Sequence, residues 1–402
     1  MTIARYSLIA AAILAMTACG KQEPAATTEQ ASAAPAAAVD AAPAGDVIKI
    51  GHAAPLTGNI AHLGKDNENG VKMAIDEINE AGGVDIGGKK MKLEMVSEDD
   101  QADPKTATTV AQRFVDQKVA GVIGHLNSGT TIPASKIYSD AGIAQISPSA
   151  TAVTYTAQGF KTAFRVMAND AQQGKVLGEY AVKLGAKKVA IIDDRTAYGQ
   201  GLADEFEKAA KAAGAEVVRR EFTTNQETDF NAILTTIKGS KPDLIFYGGM
   251  DAQAAPLKKQ AKKLGINAKV MGGDGTQTPE FIKLAGSDAE GMISSSPGMP
   301  KDKMAGGQAF LDKFKAKFGT EVQLYAPYCY DAVKVMVAAM QKAGSSDPAK
   351  YIPELAKTDY QGATGAITFD EKGDIKNGAI ALYTVKGGKW ETLEVVGGVA
   401  PK

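Results

Sequence analysis

From Val47 onward the chain alternates short β-branched runs with longer stretches in which apolar residues recur every three or four positions. That alternation predicts βαβ units and a parallel sheet. The first unit is the strand VIKIGHAAP, then a helix over 67–81 with Val71, Ala74, Ile75 and Ile78 on one face and a stop at Gly82-Gly83. MKLEMVSED is the next strand, followed by a helix over 106–116, strand VAGVIG, a helix over 132–140 and strand GIAQISPS. A second series begins near residue 170: helix 172–184, strand KKVAIID, helix 201–213, strand AEVVRREF, helix 230–238, strand DLIFYGG, helix 252–264 and strand AKVMGG. The count predicts an α/β protein of two doubly wound parallel-sheet lobes. Helices over 307–318 and 330–342, then a hairpin in which Gly387-Gly388 turns ALYTV into WETLEVV, follow both series. Elements this late must return to one lobe or the other, so a multi-strand hinge is expected, with lobe 1 over 47–168 plus 298–376 and lobe 2 over 169–297 plus 377–402.

Before Val47 the pattern changes. Arg5, an apolar run over 8–16 and the small residues Thr17 and Ala18 ahead of Cys19 have the layout of a secretory signal peptide over 1–18. The run is short of the roughly 20 apolar residues that span a bilayer. Met16-Thr17-Ala18-Cys19 resembles the lipobox of bacterial lipoproteins, in which the cysteine is acylated, with Met16 replacing the usual leucine at similar volume. Residues 20–46, rich in Ala, Pro and Thr, cannot build a core and read as a flexible tether reaching roughly 25–30 Å. The expected location is the periplasm or cell envelope, with a membrane anchor through lipid on Cys19.

With 44% hydrophobic and 23% charged residues over 402 positions, the composition is that of a soluble globular protein of about two domains. Lys and Arg number 45 against 46 Asp and Glu, so there is no basic footprint for nucleic acid. Cys19 and Cys329 lie in unlike contexts and are not expected to pair.

Ligands of open α/β sheets bind beyond the carboxyl ends of the strands, so the residues just after each strand carry the chemistry. After VIG the polar loop 125–131 includes Ser128. Its hydroxyl and the orphan N–H groups of a helix start suit a carboxylate, with a plain N-cap as the alternative. After QIS come Ser149 and Thr151, after IID comes Tyr198, and after VMG comes Asp274 between two glycines. Hydroxyls in one lobe and a carboxylate with an aromatic in the other match a zwitterion.

Enzyme chemistry finds no support. Between Gly58 and Gly64-Lys65 lie five residues, and Asp66 follows, which breaks the phosphate-loop spacing. Ser128 and His125 lack a G-x-S-x-G elbow, and His52, His62 and His125 lack a zinc spacing, so no cofactor or metal is expected. Glu98, Asp99, Asp100 and Asp103 read as a solvated strand-end loop, and Cys329 as a small buried hydrophobe.

Several stretches together carry a resemblance that runs from about Val47 to the C-terminus. They are Pro55-Leu56-Thr57-Gly58, AIDEINEAGG, EDDQADPKTA, VIGHLNSGTTIPASKIYSDAGIAQISPSAT, AYGQG, TDF, FYGG and YDAV. The chain resembles the branched-chain amino-acid binding proteins of type I periplasmic architecture, the Leu/Ile/Val-binding group. The resemblance implies a ligand carboxylate held by Ser128 and nearby amides. It implies an ammonium held by Thr151, the Ser149 carbonyl and Asp274, which stands one methylene short of the family's Glu. Tyr198 would close over the ligand and Tyr325 would sit beside its side chain. Leu63 and Met250 stand where well-known members have tyrosines, and the two cysteines paired in some members are Ala102 and Asn127 here. The implied role is non-enzymatic: a monomer that captures an apolar amino acid by hinge closure and hands it to the membrane permease of an ABC importer. The residues leave two alternatives: a binder of amide or urea-type molecules, and a ligand-free lipoprotein that activates a protein partner.

Overall fold

The computed structural model describes residues 47–398; the signal peptide read over 1–18, Cys19 and the tether lie outside them. The first lobe opens with β1 (Val47–Ala54), α1 (Ala61–Glu80), β2 (Val84–Ile86), β3 (Lys89–Asp99), α2 (Pro104–Asp116) and β4 (Gly121–Gly124). It continues with α3 (Ser128–Asp140), β5 (Gln145–Ser147), α4 (Thr154–Ala157) and β6 (Ala163–Arg165). These strands form one sheet in the order β2-β3-β1-β4-β5-β6. β1 pairs on both sides and its second half is buried without interruption, as a central parallel strand must be.

The second lobe runs through α5 (Asp170–Lys183), β7 (Lys188–Asp193), α6 (Ala197–Ala212), β8 (Glu216–Phe222), α7 (Asn231–Gly239), β9 (Leu244–Gly248) and α8 (Asp251–Lys263). After β10 (Lys269–Gly272) come a short turn of helix at Asp274–Thr276, α9 (Pro279–Ala285) and β11 (Ile293–Ser296). The chain then forms α10 (Gly307–Phe318), α11 (Ala326–Ala343) and α12 (Pro348–Leu355), which pack with α1 and the first sheet. The small pair β12 (Asp359–Gln361) and β13 (Ala366–Thr368) follows, before β14 (Ala379–Lys386) and β15 (Lys389–Gly397) complete the second sheet in the order β15-β14-β11-β10-β9-β7-β8.

The strand count predicted parallel sheets followed by a C-terminal hairpin, and the antiparallel pairing extends beyond that hairpin. β2 runs antiparallel to β3, and β14 is antiparallel to both β11 and β15. For β2–β3 and β14–β15 the cause is the connection: Gly87-Gly88 and Gly387-Gly388, all at positive φ, make two-residue turns too short for a parallel crossover. Three helices begin earlier than their polar first turns suggest: α1 at Ala61 rather than 67, α3 at Ser128 rather than 132, and α6 at Ala197 rather than 201. Gly64 reads as a breaker but lies inside α1, where a Cβ would fall 1.9 Å from the Pro55 carbonyl oxygen; it is the residue that lets the helix pass that close.

The chain passes between the two sheets after β6, after β11 and before β14. The first and third passages are tied together by a buried cluster. Arg165, fully buried, donates to Asp374 from Nε at 2.9 Å and to the carbonyls of Ala150 and Ala152, while Asn169 Nδ2 donates to the same Asp374 at 3.1 Å. At the second passage, a Cβ on Gly298 would lie 1.6 Å from Tyr328 Oη, a hydroxyl that is buried without a partner. Gly298→Ala is therefore expected to cost about 1–3 kcal/mol of stability by overpacking. Denaturant melts should show part of that loss recovered in Gly298→Ala/Tyr328→Phe and little change in Tyr328→Phe alone.

Cys329 is fully buried on α11, and its thiol is pushed well up by burial, as the sequence suggested for a small apolar residue.

Candidate ligand-binding site

The carboxyl ends of the strands of both sheets face a cleft with two connected chambers. The inner one is lined by Leu126, Asn127, Ser128, Ser149 and Tyr325 from lobe 1 and by Tyr198, Met250 and Asp274 from lobe 2. Its free volume is about 10 Å³, space for about one water. Outside it lies a chamber of about 640 Å³, whose wall includes Asn59, Gln101, Arg195, Asn225 and Gln253 and which shares Asn127, Tyr198 and Met250 with the inner one.

Asp274 is the centre of the lobe 2 side. Its Oδ1 accepts from Tyr198 Oη at 2.8 Å and from Gln173 Nε2 at 2.9 Å, and its Oδ2 accepts from Tyr325 Oη, across the cleft, at 2.7 Å. Tyr198 reaches it from the first turn of α6, which is fixed by Thr196 capping Gly199 N. The same Tyr198 oxygen accepts from Gly275 N at 2.9 Å, so its position is set from both sides. Gln173 Nε2 also donates to Asp170 Oδ1 at 3.0 Å, and its Oε1 accepts from Ser295 Oγ at 2.7 Å. One amide thus bridges two fully buried carboxylates.

Burial raises the pKa of both acids. Asp274 goes up despite its three side-chain donors, and Asp170 rises to about 7, first through burial and then through the charge of Asp274. The Thr151 hydroxyl faces Asp170 and eases its ionisation, although the two are not in hydrogen-bonding geometry. Positive charge arriving between Asp274 and Asp170 would relieve a cost that the folded chain carries by itself.

The lobe 1 side offers donors. Ser128 is the first residue of α3, and its Oγ accepts from Ala152 N at 3.2 Å, which leaves its own proton to give. The N–H groups of Ser128 and Gly129 have no acceptor among the described residues, while those of Thr130 and Thr131 turn back to the Asn127 carbonyl. Ser149 Oγ donates to the Leu126 carbonyl at 3.2 Å and accepts from Asn67 Nδ2 at 3.2 Å.

Tyr325, at the start of α11, is tied into lobe 1 through α1. Asp66, buried in α1, accepts from the backbone N–H groups of Gln323, Leu324, Tyr325 and Ala326 at 2.8–3.0 Å and so caps α11 from another helix. Burial pushes the Asp66 pKa up, against the pull of these four donors.

Of the residues singled out in the sequence, Ser128, Ser149, Tyr198, Met250, Asp274 and Tyr325 meet around one chamber. Two do not line it. Thr151 is fully buried beside Asp170, and Leu63 is fully buried in the apolar core of lobe 1, outside the lining of both chambers. The acidic run corrects another reading. Asp100 is buried rather than solvated and pairs with His125 Nδ1 at 2.7 Å, whose Nε2 meets Tyr138 Oη at 2.9 Å; Asp99 caps Leu56 N at 2.9 Å. Gln173 and Asp170 were missed, since nothing in a helix's first turn announces that it will face a strand end a hundred residues away.

The sequence profile of the periplasmic binding protein family matches residues 47–389. A leucine-, isoleucine-, valine-, threonine- and alanine-binding protein of Pseudomonas aeruginosa is 37% identical over 345 residues, 85% of this chain and 90% of the relative. Among solved structures, a leucine-binding protein LivK from Thermotoga maritima superposes with a TM-score of 0.81 at 29% identity, over 87% of this chain and 98% of the other. The branched-chain amino acid transporter substrate-binding protein LivJ of Streptococcus pneumoniae, in complex with isoleucine, gives a TM-score of 0.79 at 32% identity, over 88% and 100%. With two α/β lobes facing one cleft and a profile match over nearly the whole described chain, the protein belongs to the periplasmic binding protein family.

Proposed function

We propose that the protein captures an α-amino acid with an apolar, branched-chain-type side chain between its lobes and delivers it to the permease of an ABC importer. The observation that carries this reading is the opposition of charges across the inner chamber. Asp274, backed by Asp170, awaits a cation, while the Ser128 hydroxyl and the unpaired N–H groups at the start of α3 await an anion. A zwitterion buried with both ends paired avoids the several kcal/mol that burying either charge alone would cost. Met250, Leu126 and Tyr325 would flank the side chain, with Leu63 packed behind them; the Ser149 carbonyl and Thr151 would complete the ammonium end. Tyr198 would close over the ligand.

With an inner chamber of about 10 Å³, the lobes must part to admit an amino acid and then seat again around it, a hinge motion over the three passages. The names of the relatives support the same ligand class. A neutral amide or urea would leave the Asp274–Asp170 pair without a counter-charge, which favours the amino acid. Family membership places the folded part in the periplasm or cell envelope. The lipobox-like segment supports a tether through lipid on Cys19.

A thermal-shift screen of the unfolded and refolded soluble form, starting at Val47, against the twenty amino acids, urea and simple amides tests the reading. A midpoint rise with Leu, Ile, Val or a near relative is expected, because a ligand that binds only the native state stabilises it. A flat response to every α-amino acid overturns the proposal, and a response to amides alone reassigns the ligand.

A further inference from the structure

Away from both chambers the lobes meet at a second polar contact. His62, the second residue of α1 in lobe 1, places Nε2 2.7 Å from Asp251 Oδ2 at the first residue of α8 in lobe 2. Asp251 is fully buried, whereas His62 keeps 21% of its side chain in solvent. Thr278 Oγ1, also from lobe 2, donates to the same Oδ2 at 2.6 Å, and the start of α8 lends its dipole to the carboxylate. Asp251 Oδ1 has no partner. The carboxylate is therefore fixed by its own lobe, and the imidazole is what the other lobe contributes when the cleft is shut.

We infer that His62 and Asp251 form a latch between the lobes that is strengthened by a proton and sets how tightly a captured solute is held. The inference rests on the solute-capture reading above. When the lobes part, His62 loses its acceptor and regains water, so the imidazolium is favoured in the closed form over the open one.

The charged groups that bear on the ring are acids: Asp251 from α8, Glu280 from α9 and Asp66 from α1 itself. Burial, the largest single influence, opposes the charge. The hydrogen bond and charge of Asp251, with Glu280 and Asp66, together outweigh it and raise His62 above its ordinary 6.5. The sign follows from linkage: the latch is at full strength below about 6.5 and its ionic part is lost as pH rises through the closed-form value. A neutral ring can still donate Nε2–H, so the latch weakens without vanishing. His52, buried and lowered to about 4, lies outside this range. Asp170, which titrates near 7, acts on the ligand's cation with the opposite sign, so the variant-to-parent ratio isolates the latch.

The test is ring-carbon NMR of the three histidines in the parent and in Asp251→Asn, with and without saturating leucine, His62 being assigned by its absence in His62→Gln. The expected result is a His62 pKa above the ordinary value with leucine, falling in Asp251→Asn, and a smaller difference between the proteins without leucine. Calorimetry should then give a leucine Kd ratio, His62→Gln over parent, that is well above one at pH 5.5 and near one at pH 8.5, by about tenfold for each pKa unit of coupling. A His62 pKa that Asp251→Asn leaves unchanged in both solutions overturns the latch, as does a Kd ratio that is flat with pH. If leucine moves no resonance, the amino-acid reading fails separately, and the comparison of parent with Asp251→Asn in ligand-free protein still decides whether the pair forms.

Discussion

Asp274→Asn is expected to weaken leucine binding by more than about 100-fold while leaving the ligand-free protein at least as stable as the parent. The first half follows from stranding the ammonium. Removing one partner of a buried charge pair costs about 3–5 kcal/mol, and each 1.4 kcal/mol is a factor of ten in Kd. The second half follows from the company Asp274 keeps. It shares Gln173 with Asp170, burial raises the pKa of both, and among the described residues no cation hydrogen-bonds to either. The amide can keep the geometry: its oxygen accepts from Gln173 and Tyr198, and its NH₂ donates to the Tyr325 hydroxyl oxygen. Titration calorimetry and melting of the empty protein read the two halves separately, and a Kd within tenfold of the parent's would remove Asp274 from the site. A pH signature accompanies the change. Asp170, ordinarily near 3.8, sits at about 7 in the folded protein, so its contribution to stability is full below about 4 and is lost as pH rises through 7. Without the Asp274 charge this window should narrow from its upper end.

Asp66→Ala should damage both the fold and the site. Four backbone N–H groups at the start of α11 lose their acceptor, and each buried donor left unsatisfied costs about 1–3 kcal/mol before relaxation or water repairs part of it. A net loss of roughly 3–5 kcal/mol corresponds to a fall in Tm on the order of 10 °C for a chain of this size. Leucine binding should fall further than stability alone requires, since Tyr325 takes its place from this cap and then reaches Asp274. Asp66→Asn, which keeps one acceptor oxygen, should lie between. Near-parental melting for Asp66→Ala would mean that α11 holds its start by packing alone.

Much of this arrangement was legible along the chain. β7 and β9 are apolar runs of β-branched and aromatic residues, five or six long, between turn signals, and the C-terminal hairpin carries its glycine turn in plain view. The site residues at strand ends followed from the geometry of open α/β sheets, which is why Ser128, Tyr198 and Asp274 could be singled out with no structure. What escaped had physical reasons. β2, β6 and β13 are three residues long, too short for a period to be read from the sequence. The first turns of α3 and α6 face the cleft, and small or polar residues near glycine, as at the start of α1 too, look like loop. Asp170 and Gln173 depend on contacts between distant segments of lobe 2, and the His62–Asp251 pair on a contact that only the closed lobes create. Asp100 looked solvated because three other acids stand close to it in sequence, whereas it is buried against His125, which follows β4 two strands away in the sheet.

The thiol of Cys329 supplies a clock. It is the only cysteine among the described residues, fully enclosed on a helix that packs against α1. An alkylating reagent reaches it only through transient local unfolding of that helix, and its reaction rate at limiting reagent measures the opening equilibrium. Because the start of α11, capped by Asp66, also positions Tyr325, the same rate would report how often the wall of the cleft comes apart in the native protein, on a timescale of seconds to hours that melting curves do not resolve.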